Sequence, residues 1–196
     1  MRSIVNGGAI WALAALAGCS AVNVFDKGPV VVDYHAGTTE LSGYPKMSVG
    51  ADNSFFDRAG SHESHKFGPF EVRQCNATKT ACSLGLVILD AEMQILSVGD
   101  ATAKLQIKID YKVGAEWRRD VPGGVYVDKL TNPEIIHDQG SVSRVAEIAY
   151  GEVRHIELPY GLSYTVCVSA PGVDPMSFRL CAQQLNVKNP SSVPAF

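Results

Sequence analysis

Lys104-Leu105-Gln106-Ile107-Lys108-Ile109-Asp110-Tyr111-Lys112-Val113 is the most regular stretch of the chain. Leu, Ile, Ile, Tyr and Val alternate with Lys, Gln, Lys, Asp and Lys. That is a period of two, with one face for a core and one for water. A helix would repeat its apolar positions every three or four residues. The stretch therefore predicts a half-buried β-strand.

The same grammar extends in both directions. Leu84-Gly85-Leu86-Val87-Ile88-Leu89 is nearly continuous apolar text and suits a buried strand, and Met93 to Val98 continues it or pairs back. Phe70-Glu71-Val72-Arg73 leads into Cys75, and Val30-Val31-Val32-Asp33-Tyr34 is β-branched. Residues 36–66, rich in Gly, Ser, Asp and His, read as mostly loop with one short strand near Met47-Ser48-Val49. A loop of that length serves a function or packs as an added layer.

Toward the C-terminus, Pro122-Gly123-Gly124 marks a turn and Val125-Tyr126-Val127 a short strand. Val142, Val145, Ile148 and Ala149 also fit a helical face, but Gly151 and the surrounding strands favour a strand. Val153 to Leu158 follows. Leu162, Tyr164, Val166 and Val168 share one face, as do Phe178, Leu180 and Ala182 beyond the next turn. Several short strands with regular turns predict an all-β chain folded as a β-sandwich.

The chain has 196 residues, 46% of them apolar and 19% charged, with a net charge of −3. That supports one domain with a real core and excludes a disordered chain. The charge also excludes a nucleic-acid protein built on a basic surface.

The N-terminus carries an address. Arg2 precedes an apolar run over residues 9–17, then Gly18 and Cys19, which are the parts of a secretory signal. The run is about half of the roughly 20 residues that a membrane span needs. Leu16-Ala17-Gly18-Cys19 resembles the lipobox of bacterial lipoproteins. The resemblance implies cleavage before Cys19, lipidation of its thiol and acylation of the new amino group, palmitate being a typical chain. Such an anchor exceeds the two-signal threshold for stable membrane attachment. Ser20 in place of Asp implies the outer membrane, by resemblance to lipoprotein sorting in enteric bacteria.

Removing residues 1–18 leaves 178 residues, with 16 basic and 20 acidic side chains, net −4, and Trp117 as the sole tryptophan. The expected organisation is a signal peptide at 1–18 and a tether at 19–28. A loop-rich extension with one or two strands follows at 29–66, then the sandwich at 67–188 and a flexible Pro/Ser-rich tail at 189–196.

Four cysteines remain after Cys19: Cys75, Cys82, Cys167 and Cys181. An even number in an exported chain predicts two disulfides. Three pairings are possible, and local pattern favours one of them. Cys75 and Cys82 flank the polar stretch 76–81. Cys167 and Cys181 flank Ala170-Pro171-Gly172-Val173-Asp174-Pro175, and both lie off the apolar faces of their segments, as cross-strand partners do. The spacing of zinc sites is absent.

Leu158-Pro159-Tyr160-Gly161-Leu162-Ser163-Tyr164-Thr165-Val166-Cys167-Val168 resembles strand F of fibronectin type III and related immunoglobulin-like domains. Those domains place a Leu, a Gly and then a Tyr followed by alternating Val. Residues 109–113 with Trp117 resemble strand C and its turn. The resemblance implies an immunoglobulin-like sandwich with Tyr164 as the tyrosine-corner residue, its ring buried and its hydroxyl bonded to nearby backbone. The chain departs from that family in the position of Pro159 and in lacking an early core tryptophan. A transthyretin-like sandwich, seen in some secretion-system lipoproteins, reads similarly.

Candidate chemistry is sparse. His62-Glu63-Ser64-His65 is the densest polar cluster, with His35, Asp57 and Arg58 near in sequence. His62 and His65 are the metal-ligand candidates, but they stand one residue short of H-E-x-x-H spacing, and solvated histidines are the default in such a segment. No G-x-S-x-G elbow singles out a serine, and the mature thiols are expected to be oxidised. His137 and Asp138 would point to opposite faces if extended, whereas His155 and Glu157 would share an exposed face. Val121-Pro122-Gly123-Gly124-Val125 lacks the lysine of a phosphate loop, and the sequon Asn76-Ala77-Thr78 carries no weight in a bacterial lipoprotein. Trp117, Arg118 and Arg119 form a possible binding anchor.

These features lead to the expectation of a non-enzymatic outer-membrane lipoprotein without a cofactor. It faces the periplasm or the cell surface and meets the membrane through Cys19. Its sandwich would serve as a binding or assembly module of a secretion, pilus or surface apparatus, with an envelope protein as partner and no nucleic acid. The alternative is an inhibitor or immunity lipoprotein against a periplasmic hydrolase or toxin.

Overall fold

The alternation at 104–113 becomes a strand, Thr102–Gly114, in the computed structural model, which describes residues 27–38, 50–78, 80–131, 133–173 and 181. Leu105, Ile107, Ile109 and Val113 are buried, and Lys104, Gln106 and Lys112 are exposed. Ten strands run through the described residues. They are β1 (Val30–Thr38), β2 (Gly50–Asp57), β3 (His62–Cys75), β4 (Cys82–Val98), β5 (Thr102–Gly114), β6 (Glu116–Val121), β7 (Gly124–Lys129), β8 (Asp138–Ala149), β9 (Val153–Glu157) and β10 (Leu162–Ser169). The segment at 142–149, whose spacing also fits a helix, lies within β8.

All pairings between these strands are antiparallel. One sheet has the order β2-β1-β10-β9 and the other β3-β4-β5-β8, while β6 and β7 form a separate two-stranded ribbon. The two larger sheets bury one core between them, in a β-sandwich arrangement. Val30, Val32, Tyr34 and Ala36 of β1 and Leu162, Tyr164, Val166 and Val168 of β10 meet Phe67, Val87, Leu89 and Ile107 of the opposite sheet. At its centre the Phe67 ring packs edge-on to Tyr34 at 5.8 Å and to Tyr164 at 6.1 Å.

The first bridge is a true cross-strand pair. Cys75 lies directly opposite Cys82 in the β3–β4 register, with Cα atoms 4.0 Å apart. Asn76 organises the connecting loop, its Oδ1 accepting from the Thr80 N–H at 2.9 Å and from the Thr78 hydroxyl at 3.2 Å. Cys167 and Cys181 are also bonded, with Cα atoms 5.8 Å apart. Cys181 has helical rather than extended backbone, so the second bridge does not join facing strands.

Three sequence expectations need correction. Residues 36–66 are not mostly loop: β1 reaches Thr38, β2 spans Gly50–Asp57 and β3 begins at His62. The segment at 29–66 is therefore no extension, since β1 sits between β2 and β10 inside the sheet. Its polar text is misleading because β2 is an edge strand among the described residues, and an edge tolerates Gly, Asp, Asn and Ser that an interior strand avoids.

The strand neighbours implied by the fibronectin resemblance also differ. Strands C and F of that fold lie side by side, whereas β5 and β10 belong to different sheets. The motif at 158–168 instead reports a turn into a strand. Pro159–Gly161 forms a 3-10 turn in which Tyr160 and Gly161 have φ of 62° and 72°, and β10 starts at Leu162. Finally, the Tyr164 ring is buried, but its hydroxyl has no hydrogen-bond partner among the described residues. The signal, Cys19, Met47-Ser48-Val49, residues 178–180 and 182, and the tail lie outside the described residues.

Candidate functional site

Beyond Val113 the chain leaves the sandwich, turns through Pro122 and Gly123 and returns. Gly123 has φ of 96°, a conformation that glycine adopts without steric cost. The Leu130 N–H donates to the Ala115 carbonyl at 2.9 Å and closes the base of the hairpin. Among the described residues β6 and β7 pair only with each other.

In their register Trp117 faces Asp128, Arg118 faces Val127, Arg119 faces Tyr126 and Asp120 faces Val125. Opposed residues point to the same side. One face of the ribbon thus holds Trp117, Arg119, Tyr126 and Asp128, and the other Glu116, Arg118, Asp120, Val125, Val127 and Lys129.

This places the predicted anchor, with a change of emphasis. Trp117 is half-buried, with Tyr126 edge-on at 6.0 Å and the Arg119 guanidinium 5.5 Å from its ring. Arg118 pairs with Glu116. The exposed apolar surface lies instead on β7, where Val125, Tyr126 and Val127 are 57%, 49% and 45% exposed. Sequence reading missed their role, although three consecutive apolar residues beside Pro-Gly-Gly carried the signal. A strand with one buried face alternates; this one does not.

The hairpin also has a direction. Lys27, near the end of the expected tether, pairs with Asp100 in the β4–β5 turn at 2.8 Å. The hairpin leaves the other end of β5, which at about 3.3 Å per residue lies up to about 40 Å away.

At that same end Tyr160 donates to Asp138 Oδ2 at 2.7 Å, and the Tyr111 hydroxyl reaches the same oxygen at 3.4 Å. The Gln139 N–H donates to Asp138 Oδ1 at 2.8 Å. The Tyr160 hydrogen bond, followed by that of Gln139, holds the Asp138 carboxyl below the usual carboxylate range. The same bond to Asp138, with burial second, pushes the Tyr160 phenol up to about 12. The cluster ties the start of β8 to the β9–β10 turn.

The remaining candidates separate. His62 and His65 lie three positions apart on β3, so they point to opposite faces. His62 is exposed, while His65 packs on the Phe67 and Tyr34 rings at 4.5 and 5.9 Å. His35 belongs to the other sheet. No group of three or more ligand-type side chains converges on a metal position among the described residues.

His155 and Glu157 share a face as expected, with Nε2 and Oε1 3.8 Å apart, but His155 is buried. It lies on the outer face of its sheet. In register with it, Thr165 stands between His155 and His35, and Asp33 stands opposite Cys167. Asp33, His35, Thr165 and Cys167 are buried too. The face expected to be in water is therefore covered where the Cys167–Cys181 bridge sits.

Among the described residues no helix is long and apolar enough to cross a membrane. No protein-family model matches the chain, and no curated protein or solved structure matches it.

Proposed function

We propose that the protein is a lipid-anchored, non-enzymatic lipoprotein of the bacterial outer membrane, held through Cys19 and facing the periplasm or cell surface. Its β-sandwich acts as a binding and assembly module of an envelope complex, of the secretion, pilus or surface kind. The observation that carries this reading is the β6–β7 ribbon, which pairs with neither larger sheet and exposes Val125, Tyr126 and Val127. Aromatic residues and Arg are the side chains through which protein interfaces gain most of their energy, and Trp117, Arg119 and Tyr126 share one face here. The position of Lys27 at the opposite end of β5 supports a hairpin that reaches away from the anchored membrane.

The test is crosslinking in cells followed by affinity capture of the full chain. The wild type is expected to retain an envelope protein that a variant with residues 116–129 replaced by a short turn loses. A clean monomer with no envelope partner would contradict the reading. The same projecting ribbon also suits insertion into the cleft of a periplasmic hydrolase or toxin, as an inhibitor or immunity lipoprotein would require. Greater sensitivity to lysozyme or to a rival's toxin after deletion, without loss of any assembly, would favour that alternative.

A further inference from the structure

We propose that β7 pairs antiparallel with β7 of a second copy of this chain, joining two hairpins into one four-stranded sheet. The proposal rests on reading the hairpin as the contact element and names what occupies it.

The outer edge of β7 has no strand beside it among the described residues. A two-stranded ribbon by itself is marginally stable in water, and a third strand makes the difference. Proteins usually blunt such an edge with Pro, Lys or a bulge. Gly124-Val125-Tyr126-Val127 has none of these, and no charge appears before Asp128. The unpaired edge and the exposed side chains thus coincide on one strand.

The sequence of that strand selects its own copy. Val125-Tyr126-Val127 reads the same in both directions. A two-fold axis at Tyr126, perpendicular to the ribbon, sets Tyr126 opposite Tyr126 of the second copy. Val125 then lies opposite Val127 in both halves of the pair, and Asp128 meets Gly124, so no like charges face each other.

With the axis at Val127 instead, Val127 meets Val127, but Val125 meets Lys129 and Tyr126 meets Asp128, so two of the three apolar pairs are lost. The favoured register extends across each hairpin, because Arg119 already faces Tyr126 and Arg118 faces Val127. One face of the joined sheet then reads Arg119, Tyr126, Tyr126, Arg119 from edge to edge. The other has rows reading Arg118, Val127, Val125, Asp120, with opposite charges at the two ends. Such self-complementarity is what an isologous contact requires.

One strand pair buries less than the roughly 1,200 Å² of the smallest stable complexes. The dimer is therefore concentration-dependent in solution and favoured where anchoring raises the local concentration.

The test uses the full chain with Cys19→Ala, in which the other four cysteines are disulfide-bonded and therefore do not compete. Under mild oxidation Tyr126→Cys is expected to give a disulfide-linked dimer, and mixed Val125→Cys and Val127→Cys chains a mixed dimer. Asp128→Cys, which faces Gly124, is expected to give little. In sedimentation, Val125→Lys with Val127→Lys should raise the dimer dissociation constant at least about tenfold, since like charges then face each other twice. Circular dichroism checks that the sandwich is retained.

Crosslinking that is equal in all three arrangements, or a wild type that stays monomeric at every concentration, overturns the pairing. If the monomeric chain still binds an envelope protein through residues 116–129, the pairing fails and the reading of the hairpin stands. If replacing the hairpin changes neither self-association nor partner capture, both fail.

Discussion

Tyr164 buries its whole side chain between the sheets, yet its hydroxyl has no partner among the described residues. Burial raises its pKa well above the ordinary phenol value, so the group stays neutral. A buried hydroxyl without a hydrogen bond costs about 1–3 kcal/mol. Tyr164→Phe is therefore expected to raise stability by about 1 kcal/mol in urea denaturation, where a tyrosine corner would lose stability instead. Asp138 and Tyr160 act in the opposite sense. The lowered Asp138 carboxyl contributes stability that is present above its unfolded pKa and lost as the pH falls through the folded one. The raised Tyr160 phenol contributes stability that is complete below about pH 10 and lost as the pH rises toward 12. Unfolding midpoints measured across pH should show both limbs, and Tyr160→Phe should weaken both, the alkaline one keeping the part that the raised Tyr164 phenol contributes. At this scale the sequence was legible where alternation governs, as at Leu105, Ile107 and Ile109. It was not legible at Tyr160, whose partner Asp138 is 22 residues away.

Elements differ in how far they depend on the core. The two disulfides close short loops, and chain entropy gives about 2.5 kcal/mol for Cys75–Cys82 and about 3 kcal/mol for Cys167–Cys181. Paired Ser substitutions should lower stability by about those amounts, and peptide mapping without reduction should recover both bridges. Among the described residues the β6–β7 ribbon pairs with neither sheet, so replacing residues 116–129 by a short turn should leave the midpoint of unfolding nearly unchanged. By contrast, Ile107→Ala in β5 opens a cavity and should cost about 2–5 kcal/mol. The cysteine pairing was readable because each pair is close in sequence around a turn. β2 was hidden because an edge strand needs no apolar alternation, and its pairing with β1 is a long-range fact. The hairpin was half legible. Trp117, Arg118 and Arg119 pointed to the right element, but Trp117 is half-buried against Tyr126, and the exposed apolar surface lies on β7.

On the proposed reading, the molecule as a whole has an anchored end and a binding end. Lys27 and Asp100 fix where the chain enters the sandwich, and the hairpin leaves from the far end of β5. If Cys19 carries the anchor, Cys19→Ala should abolish palmitate labelling and release the chain from the membrane fraction while the disulfides still form. The arrangement also explains why strand text alone could not assign the topology. Alternation reports which face of a strand is buried, not which strand lies beside it, and so β5 and β10 resemble neighbours while lying in opposite sheets. The central claim is that this chain works through its projecting hairpin. The most direct measurement places a photo-crosslinking residue at Tyr126 in intact cells, with Gln106 on the exposed face of β5 as reference. The account predicts a specific protein adduct from position 126 and none from position 106. An equal or absent signal at both positions would contradict it.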